Sequence, residues 1–271
     1  MRGTATDHSQ HHSAFEPLIR EAESEVEEKY IRYCDITNPL HFLTIGMARS
    51  AITAMRIKIR LPRVRDQTAT DAERKELFQL AHKIIDTDAA AYAHTGLQRY
   101  QWHVRSFWAY GSWDSLIYVL TSLRRPGLLS RDQVDNTWSK VEQVYGNHGD
   151  FLKSKQALHI AFRSLTLKAW HANPPGSSEP EPEFISTLRS QEEGKLATGV
   201  ARHGSKAATS GVGSDTIPGN GPNSAVDDSE SSNFDDISGG MGLDMSSDLN
   251  LDTEDWMLWD QLIKNDQAQR G

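Results

Sequence analysis

Apolar residues recur at three- and four-residue steps along most of the first 172 positions, with polar residues between them. The first such stretch runs from Phe15 to Tyr33, and its polar face is rich in Glu. This period places the apolar side chains on one face of an α-helix. No stretch shows the sustained alternation of apolar and polar residues that is typical of β-strands. The pattern therefore predicts an all-α fold, with one domain of about six helices over residues 15–172.

Capping residues indicate where several of these helices begin. Asn38 precedes Pro39 and can cap the second helix, and Thr70 with Glu73 has the spacing of a capping box for the third. The stretch from Leu97 to Leu123 is the most apolar of all and carries apolar residues on more than one face. We expect this fourth helix to lie at the centre of the domain, because a helix that is apolar on more than one face is usually buried.

The composition changes sharply after the helical block. Residues 1–172 hold 23 Lys and Arg against 19 Asp and Glu, whereas residues 173–271 hold 6 against 18. Residues 173–250 are rich in Gly, Pro, Ser, Asn and Asp and poor in large apolar side chains. Such a segment cannot bury enough apolar surface to offset the entropy lost on ordering. We therefore predict a disordered linker over 173–250 and a second disordered segment at residues 1–14.

The chain closes with an acidic aromatic segment, residues 251–264. Trp256, Trp259 and Ile263 are spaced at i, i+3 and i+7, with Leu262 beside them, so a short helix would place all four on one apolar edge. Acidic side chains flank this edge and keep it soluble until a protein groove accepts it. Two interpretations stay open: the segment binds a partner protein, or it folds back onto its own helical block.

The sequence offers little support for catalysis. Cys34 is the single cysteine, so the chain cannot form an intramolecular disulfide or a six-cysteine zinc cluster. The sequence contains no phosphate-binding loop, no nucleophile elbow and no His-Glu-x-x-His metal motif. We therefore predict that the protein is not an enzyme and that it has no cofactor and no metal site. No apolar run is long enough for a membrane span, so we expect no membrane association.

Two groups of residues in the block have both a structural and a functional interpretation. A basic strip runs along the second helix and its end. It could contact nucleic acid, or it could be a solvated helix face, and we favour the solvated face. The strip comprises Arg49, Arg56, Lys58, Arg60, Arg63 and Arg65. The aromatic residues of the fourth helix could line a small-molecule pocket, or they could pack in the core. In the pocket hypothesis the lining residues are Trp102, His103, Trp113 and Tyr118.

Several stretches of the block together resemble a known family. They are Cys34–Thr44, Ala48–Ile52, Met55–Arg56, Lys83–Asp88, Tyr100–Val104, Trp113–Leu120, Ala157–Ala161 and Leu167–Trp170. Their order and content resemble the C-terminal half of the middle homology region of fungal zinc-cluster transcription factors. The closing Asp-Trp-x-x-Trp-Asp-x-Leu-Ile segment is similar to the acidic aromatic ends of such factors, where activation often resides.

The resemblance implies an all-helical regulatory domain that works in the nucleus, with the cytoplasm as the alternative, often on metabolic or secondary-metabolite gene clusters. The chain departs from the family because it lacks the six-cysteine DNA reader, so we do not expect direct, sequence-specific DNA binding. We expect a truncated regulator that acts through protein partners: a coactivator, a zinc-cluster factor or a second copy. The alternatives are an accessory helical protein that binds or converts a small molecule, and a gene-model fragment whose missing exons encode the zinc cluster.

Overall fold

A computed structural model describes the backbone of residues 4–107, 112–176, 180–205 and 253–270, and side chains for most of these positions. The described residues are almost all helical and form no strand, which confirms the all-α prediction. We number the α-helices in chain order: α1 (Thr4–Lys29), α2 (Pro39–Arg65), α3 (Asp71–Ala93), α4 (Gln101–Phe107), α5 (Ser112–Leu123), α6 (Arg131–Asn147), α7 (Asp150–Lys153), α8 (Ala157–Ala172), α9 (Glu183–Ser205) and α10 (Thr253–Arg270). Two 3-10 helices, Ile31–Tyr33 and Thr95–Tyr100, connect α1 to α2 and α3 to α4.

Side-chain caps start the helices where the sequence predicts them. The Asn38 side chain accepts a hydrogen bond from the backbone N–H of Leu40 (3.0 Å) at the start of α2. At α3, Thr70 and Glu73 form a reciprocal capping box, as predicted. Ser130 begins α6 and forms a second capping box with a glutamine at the third helical position.

The core is built around α5. Every residue from Ser112 to Leu123 is buried, so this helix is enclosed on all sides, as its apolar pattern predicts. α3 packs against α2, α5 and α6, and α8 packs against α5, α7 and α9. A single large cluster of buried apolar side chains runs through these helices.

The helical block extends beyond the predicted boundary at residue 172. α9 occupies part of the segment predicted to be a disordered linker, and Phe184, Ile185 and Leu188 of this helix are buried in the main cluster. The compositional argument missed α9 because only three large apolar residues, close together in a polar stretch, attach it. At the other end, α1 begins at Thr4, within the segment predicted to be disordered. The rest of the predicted linker, residues 206–250, lies outside the described residues.

Two helical stretches of the chain are interrupted. The predicted helix 97–123 is a 3-10 helix followed by α4 and α5, with residues 108–111 between them outside the described part of the chain. The helical stretch from residue 150 to residue 172 is divided into α7 and α8 by an extended break at Ser154 and Gln156. Arg163 of α8 donates hydrogen bonds to the backbone carbonyls of Leu152 (2.7 Å) and Ser154 (3.0 Å), which stabilises the break.

Candidate interaction site at the C-terminal helix

The C-terminal helix α10 lies on the helical block, against α8. Trp259 is only 1% exposed and belongs to the main core cluster. Leu262 and Ile263 are partly buried and pack against the same cluster. Three of the four residues of the apolar edge deduced from the sequence therefore face the protein's own core in the structure.

An ion pair joins α10 to the end of α2. The guanidinium of Arg65 donates two hydrogen bonds to the carboxylate of Asp260, with N–O distances of 2.8 and 3.0 Å. The Arg65 side chain is 19% exposed and that of Asp260 is 38% exposed, so the pair lies at the rim of the contact. A bidentate Arg–carboxylate pair is more specific in geometry than a single ionic contact. It therefore favours one orientation of α10 on the block.

Further charges surround this pair. Burial raises the pKa of the Asp114 carboxyl on α5, and the positive charge of Lys58 acts against that rise. Asp260 and Arg65 also act on this carboxyl, Asp260 raising its pKa and Arg65 lowering it. The Lys58 ammonium lies 4.0 Å from an Asp114 oxygen. Two cations of α2 thus face two carboxylates, one from the core helix α5 and one from α10.

The structure resolves the four tail residues unequally. It brings Trp259, Leu262 and Ile263 together on the block, while the side chain of Trp256 lies outside the described residues. Met257 points away from the contact and is 60% exposed. Of the two interpretations left open by the sequence, the structure shows the helix packed on its own block, and partner binding stays a prediction.

The basic strip of α2 is occupied by carboxylates from neighbouring helices. Its cations pair with residues of α1, α3, α5 and α10, and several of these pairs are partly buried. The pairs are Arg49 with Glu27, Arg56 with Glu16 and Glu23, Arg60 with Glu16 and Glu76, Arg63 with Glu73, Arg65 with Asp260, and Lys58 with Asp114. The strip therefore attaches other helices to α2, a role that neither sequence-based interpretation included. A cation already paired in this way is less able to contact a phosphate.

The four residues of the pocket hypothesis have different surroundings in the structure. Trp113 is buried and its ring packs against Phe151 at 5.0 Å between centroids. Tyr118 is also buried, and its hydroxyl donates a hydrogen bond to the backbone carbonyl of Arg74 (3.0 Å). Trp102 lies on α4 and is 70% exposed, with its ring 5.2 Å from that of His103. Trp102 and His103 lie on α4, whereas Trp113 and Tyr118 lie on α5, so the single predicted helix that carried all four is two helices.

A different cavity lies between α2 and α3. It has a volume of about 300 Å³ and is lined mainly by apolar side chains, including Phe42, Leu43, Met47 and Val104. None of the four residues of the pocket hypothesis lines it. No local sequence pattern indicates this cavity, because its walls come from α2, α3, α4 and the loop before α2, which are brought together only in the fold.

A buried polar chain lies beside this cavity and was also missed. Asp88, one of the lining residues, has a buried carboxylate whose Oδ2 is 2.9 Å from Nε2 of His148. The other ring nitrogen of His148 lies 3.4 Å from the Tyr92 hydroxyl. These hydrogen bonds join α3 to the end of α6. His148 is 60 positions from Asp88 and 56 from Tyr92, so no local motif could reveal the arrangement.

Within the described part of the chain, no three or more His, Cys, Asp or Glu side chains are grouped so that they could hold a metal ion. Among the described helices, none combines the length and the apolar character that a membrane span requires.

Three curated fungal proteins are similar to this chain. An aurofusarin cluster transcription factor of Gibberella zeae is 32% identical over 160 residues, which cover 58% of this chain and 23% of that protein. A transcriptional regulator of Aspergillus novofumigatus, nsrM, is 27% identical over 265 residues, which cover 86% of this chain and 36% of that protein. A third transcriptional regulator, AacuB of Aspergillus aculeatus, is 24% identical over 153 residues, which cover 55% of this chain and 20% of that protein.

The chain spans between 20% and 36% of the length of these relatives. No protein-family model matches it, and no solved structure matches it. The matches to all three relatives include a large part of this chain, and all three are named as regulators of transcription. The chain is thus a homologue, over part of its length, of fungal transcriptional regulators.

Proposed function

We propose that this chain regulates transcription in the nucleus through protein contacts, and that α10 is the element that recruits the partner. The observation that supports this most directly is the similarity of the chain to three fungal transcriptional regulators. An amphipathic helix with large aromatic anchors is a common way to engage a groove on another protein. In α10 the side chains of Trp259, Leu262 and Ile263 form such an edge, with Asp260 beside it.

The proposed mechanism assigns DNA contact to another protein. One cysteine cannot supply the six sulfur ligands of a zinc-cluster DNA reader. The basic residues of α2 are engaged by carboxylates of this chain, which argues against a phosphate-binding face there. A zinc-cluster factor would bring the chain to a promoter, and α10 would contact a coactivator. The control of a metabolite gene cluster is the corresponding biological role, since one relative is named for such a cluster.

A reporter experiment tests recruitment. Residues 227–271 fused to a heterologous DNA-binding domain should activate a reporter gene, because the fusion presents the apolar edge without the helical block. Replacing Trp256 and Trp259 together by Ala should reduce reporter expression to the level of the DNA-binding domain alone, since aromatic anchors dominate such contacts.

The matched control is Met257→Ala. Met257 lies on the opposite side of α10 from the buried edge and is exposed, so its truncation should leave reporter expression unchanged. Loss of expression with Met257→Ala as well as with the tryptophan pair would indicate a general effect of hydrophobicity. A fusion that is silent with its tryptophans intact would contradict the proposal.

The cavity between α2 and α3 supports a second candidate function, that of an accessory protein for a small molecule. Its volume of about 300 Å³ lies at the lower end of the range for ligand pockets, and its apolar walls suit a largely apolar compound. Native mass spectrometry of the chain purified from its own cells should then show a stoichiometric bound compound, whereas the mass of the bare chain alone would argue against this function.

A further inference from the structure

The edge of α10 that is buried in the structure is the same edge that the proposed function assigns to a partner. Trp259, Leu262 and Ile263 lie at i, i+3 and i+4, so they occupy one side of the helix. All three pack against the core cluster, whereas Met257 on the opposite side is exposed. One helix edge cannot fill two grooves at once. Docking on the block and docking on a coactivator therefore exclude each other.

The surface that receives α10 has a matching pattern of apolar and charged groups. Leu61 and Val64, in the last turns of α2, belong to the same buried cluster as Trp259. Arg65 follows Val64 directly in the sequence, as Asp260 follows Trp259, and these two form the bidentate ion pair. On α10, a buried aromatic residue is thus followed directly by a carboxylate that pairs with the end of α2. This arrangement favours a helix in which a carboxylate directly follows a large aromatic residue.

We propose that the groove formed by α8 and by Arg65 at the end of α2 is a receptor for an acidic, tryptophan-bearing helix. Its occupant is the chain's own α10, and α10 bound there is withheld from a coactivator. The receptor role follows from the contacts alone, and the withholding rests on the proposed function. Because the contact is intramolecular, the high effective concentration of α10 keeps the groove filled even if the contact is weak. A competing helix of the same chemistry would release α10.

Charge reversal in the full-length chain tests the receptor role. Hydrogen exchange of the α10 backbone amides reports docking, because an undocked single helix of this length is only marginally stable. Arg65→Glu should accelerate this exchange about tenfold, since it replaces a bidentate attraction by repulsion. The double variant Arg65→Glu with Asp260→Arg should restore slow exchange, because the pair is re-formed with opposite polarity.

The matched control is Lys264→Glu, which makes the same change in net charge at an exposed position of α10. It should leave the exchange rates within about twofold of wild type. Fast exchange of α10 in the wild-type chain, or equal effects of Arg65→Glu and Lys264→Glu, would overturn the receptor role.

A competition measurement tests whether the groove accepts a helix from another molecule. The probe is a fluorescein-labelled peptide of residues 251–271, followed by fluorescence anisotropy. It should bind the full-length Trp259→Ala variant about tenfold more tightly than wild type, because the weakened α10 vacates the groove. Adding Arg65→Glu to Trp259→Ala should remove this binding. Equal binding to all three chains, or to none of them, would refute the groove as the receptor.

A reporter assay of the full-length chain separates the withholding from the proposed function. With the chain fused to a heterologous DNA-binding domain, Arg65→Glu should raise reporter expression several-fold above wild type. If residues 227–271 activate by themselves but Arg65→Glu gives no increase, recruitment stands and the withholding is wrong. If residues 227–271 are silent, recruitment is wrong, and the receptor role is still decided by exchange and anisotropy.

Discussion

At the residue scale, His82 shows how the fold holds a titratable group in its neutral form. Its ring lies 4.3 Å from that of Phe78, between centroids, and its Nε2 is 3.2 Å from the hydroxyl of Thr137. Burial lowers the pKa of His82 to about 4, and the positive charge of Lys140 adds to the effect. The imidazole is therefore neutral at pH 7, and charging it in the folded state is costly.

This gives a prediction for acid stability. The unfolded chain binds a proton at His82 with a pKa near 6.5, whereas the folded chain does so only near 4, so the free energy of unfolding falls as the pH drops through this interval. Above pH 6.5 His82 is neutral in both states and does not reduce the free energy of unfolding. By pH 4 the difference in proton binding lowers that free energy by about 2–3 kcal/mol.

Denaturant titrations between pH 4 and pH 7 measure this contribution. His82→Gln should flatten the pH dependence relative to wild type. Ser139→Ala, a neutral change at an exposed position of the adjacent helix α6, should leave it as it is in wild type. Parallel curves for wild type and His82→Gln would show that another group causes the acid sensitivity.

At the element scale, α9 shows how few residues can attach a helix to a core. Phe184 stacks on Tyr145 with 4.8 Å between ring centroids, and Ile185 is fully buried. The backbone N–H of Ile185 donates to the carbonyl of Pro182 (3.0 Å), so the first turn begins directly at the buried residues. The stability of the block therefore includes residues beyond 172.

Ile185→Ala should lower the free energy of unfolding by about 2–4 kcal/mol, because it leaves a cavity at a fully buried site. Ser186→Ala, at the neighbouring exposed position, should change it by less than about 0.5 kcal/mol. Urea unfolding of the full-length chain followed by circular dichroism gives both values. A small effect of Ile185→Ala would mean that α9 does not contribute to the cooperative core.

The ion pairs of α2 also act at this scale. Arg56 pairs with Glu16 and Glu23 of α1, and Arg60 joins Glu16 to Glu76 of α3. α1 has few buried apolar residues, with Ile19 the one described side chain of this helix in that class. The charged contacts therefore help to determine where α1 lies on α2, and this explains why a basic strip occurs on a helix within a largely apolar block.

At the scale of the whole molecule, the chain combines a mildly basic block with a strongly acidic tail. Residues 1–172 have an excess of Lys and Arg, and residues 173–271 an excess of Asp and Glu. This asymmetry attracts the tail to the block over a distance set by the ionic strength. The Arg65–Asp260 pair is an ion pair between the basic block and the acidic tail.

Docking of α10 should therefore depend on salt. Raising the sodium chloride concentration from about 0.05 M to 1 M shortens the screening length several-fold and should accelerate hydrogen exchange of the α10 amides about threefold. The amides of α5, which is buried on all sides, should be unaffected and serve as the internal reference. Equal protection of α10 at both salt concentrations would show that its apolar edge alone holds it.

The sequence by itself determined the helical class, the central position of α5, the caps at Asn38 and Thr70, and the spacing that places Trp259, Leu262 and Ile263 on one edge. These features depend on residues close together in the chain, where the helical period and the cap geometry apply directly.

Only the tertiary structure decided what those features contact. It placed Trp259 in the protein's own core, paired Arg65 with Asp260 across 195 positions, and separated Trp102 from Trp113. The cavity between α2 and α3 and the attachment of α9 likewise depend on segments that meet only after the chain folds. Such contacts follow from how faces of similar apolar character are matched in space, and no local period in a single sequence specifies that match.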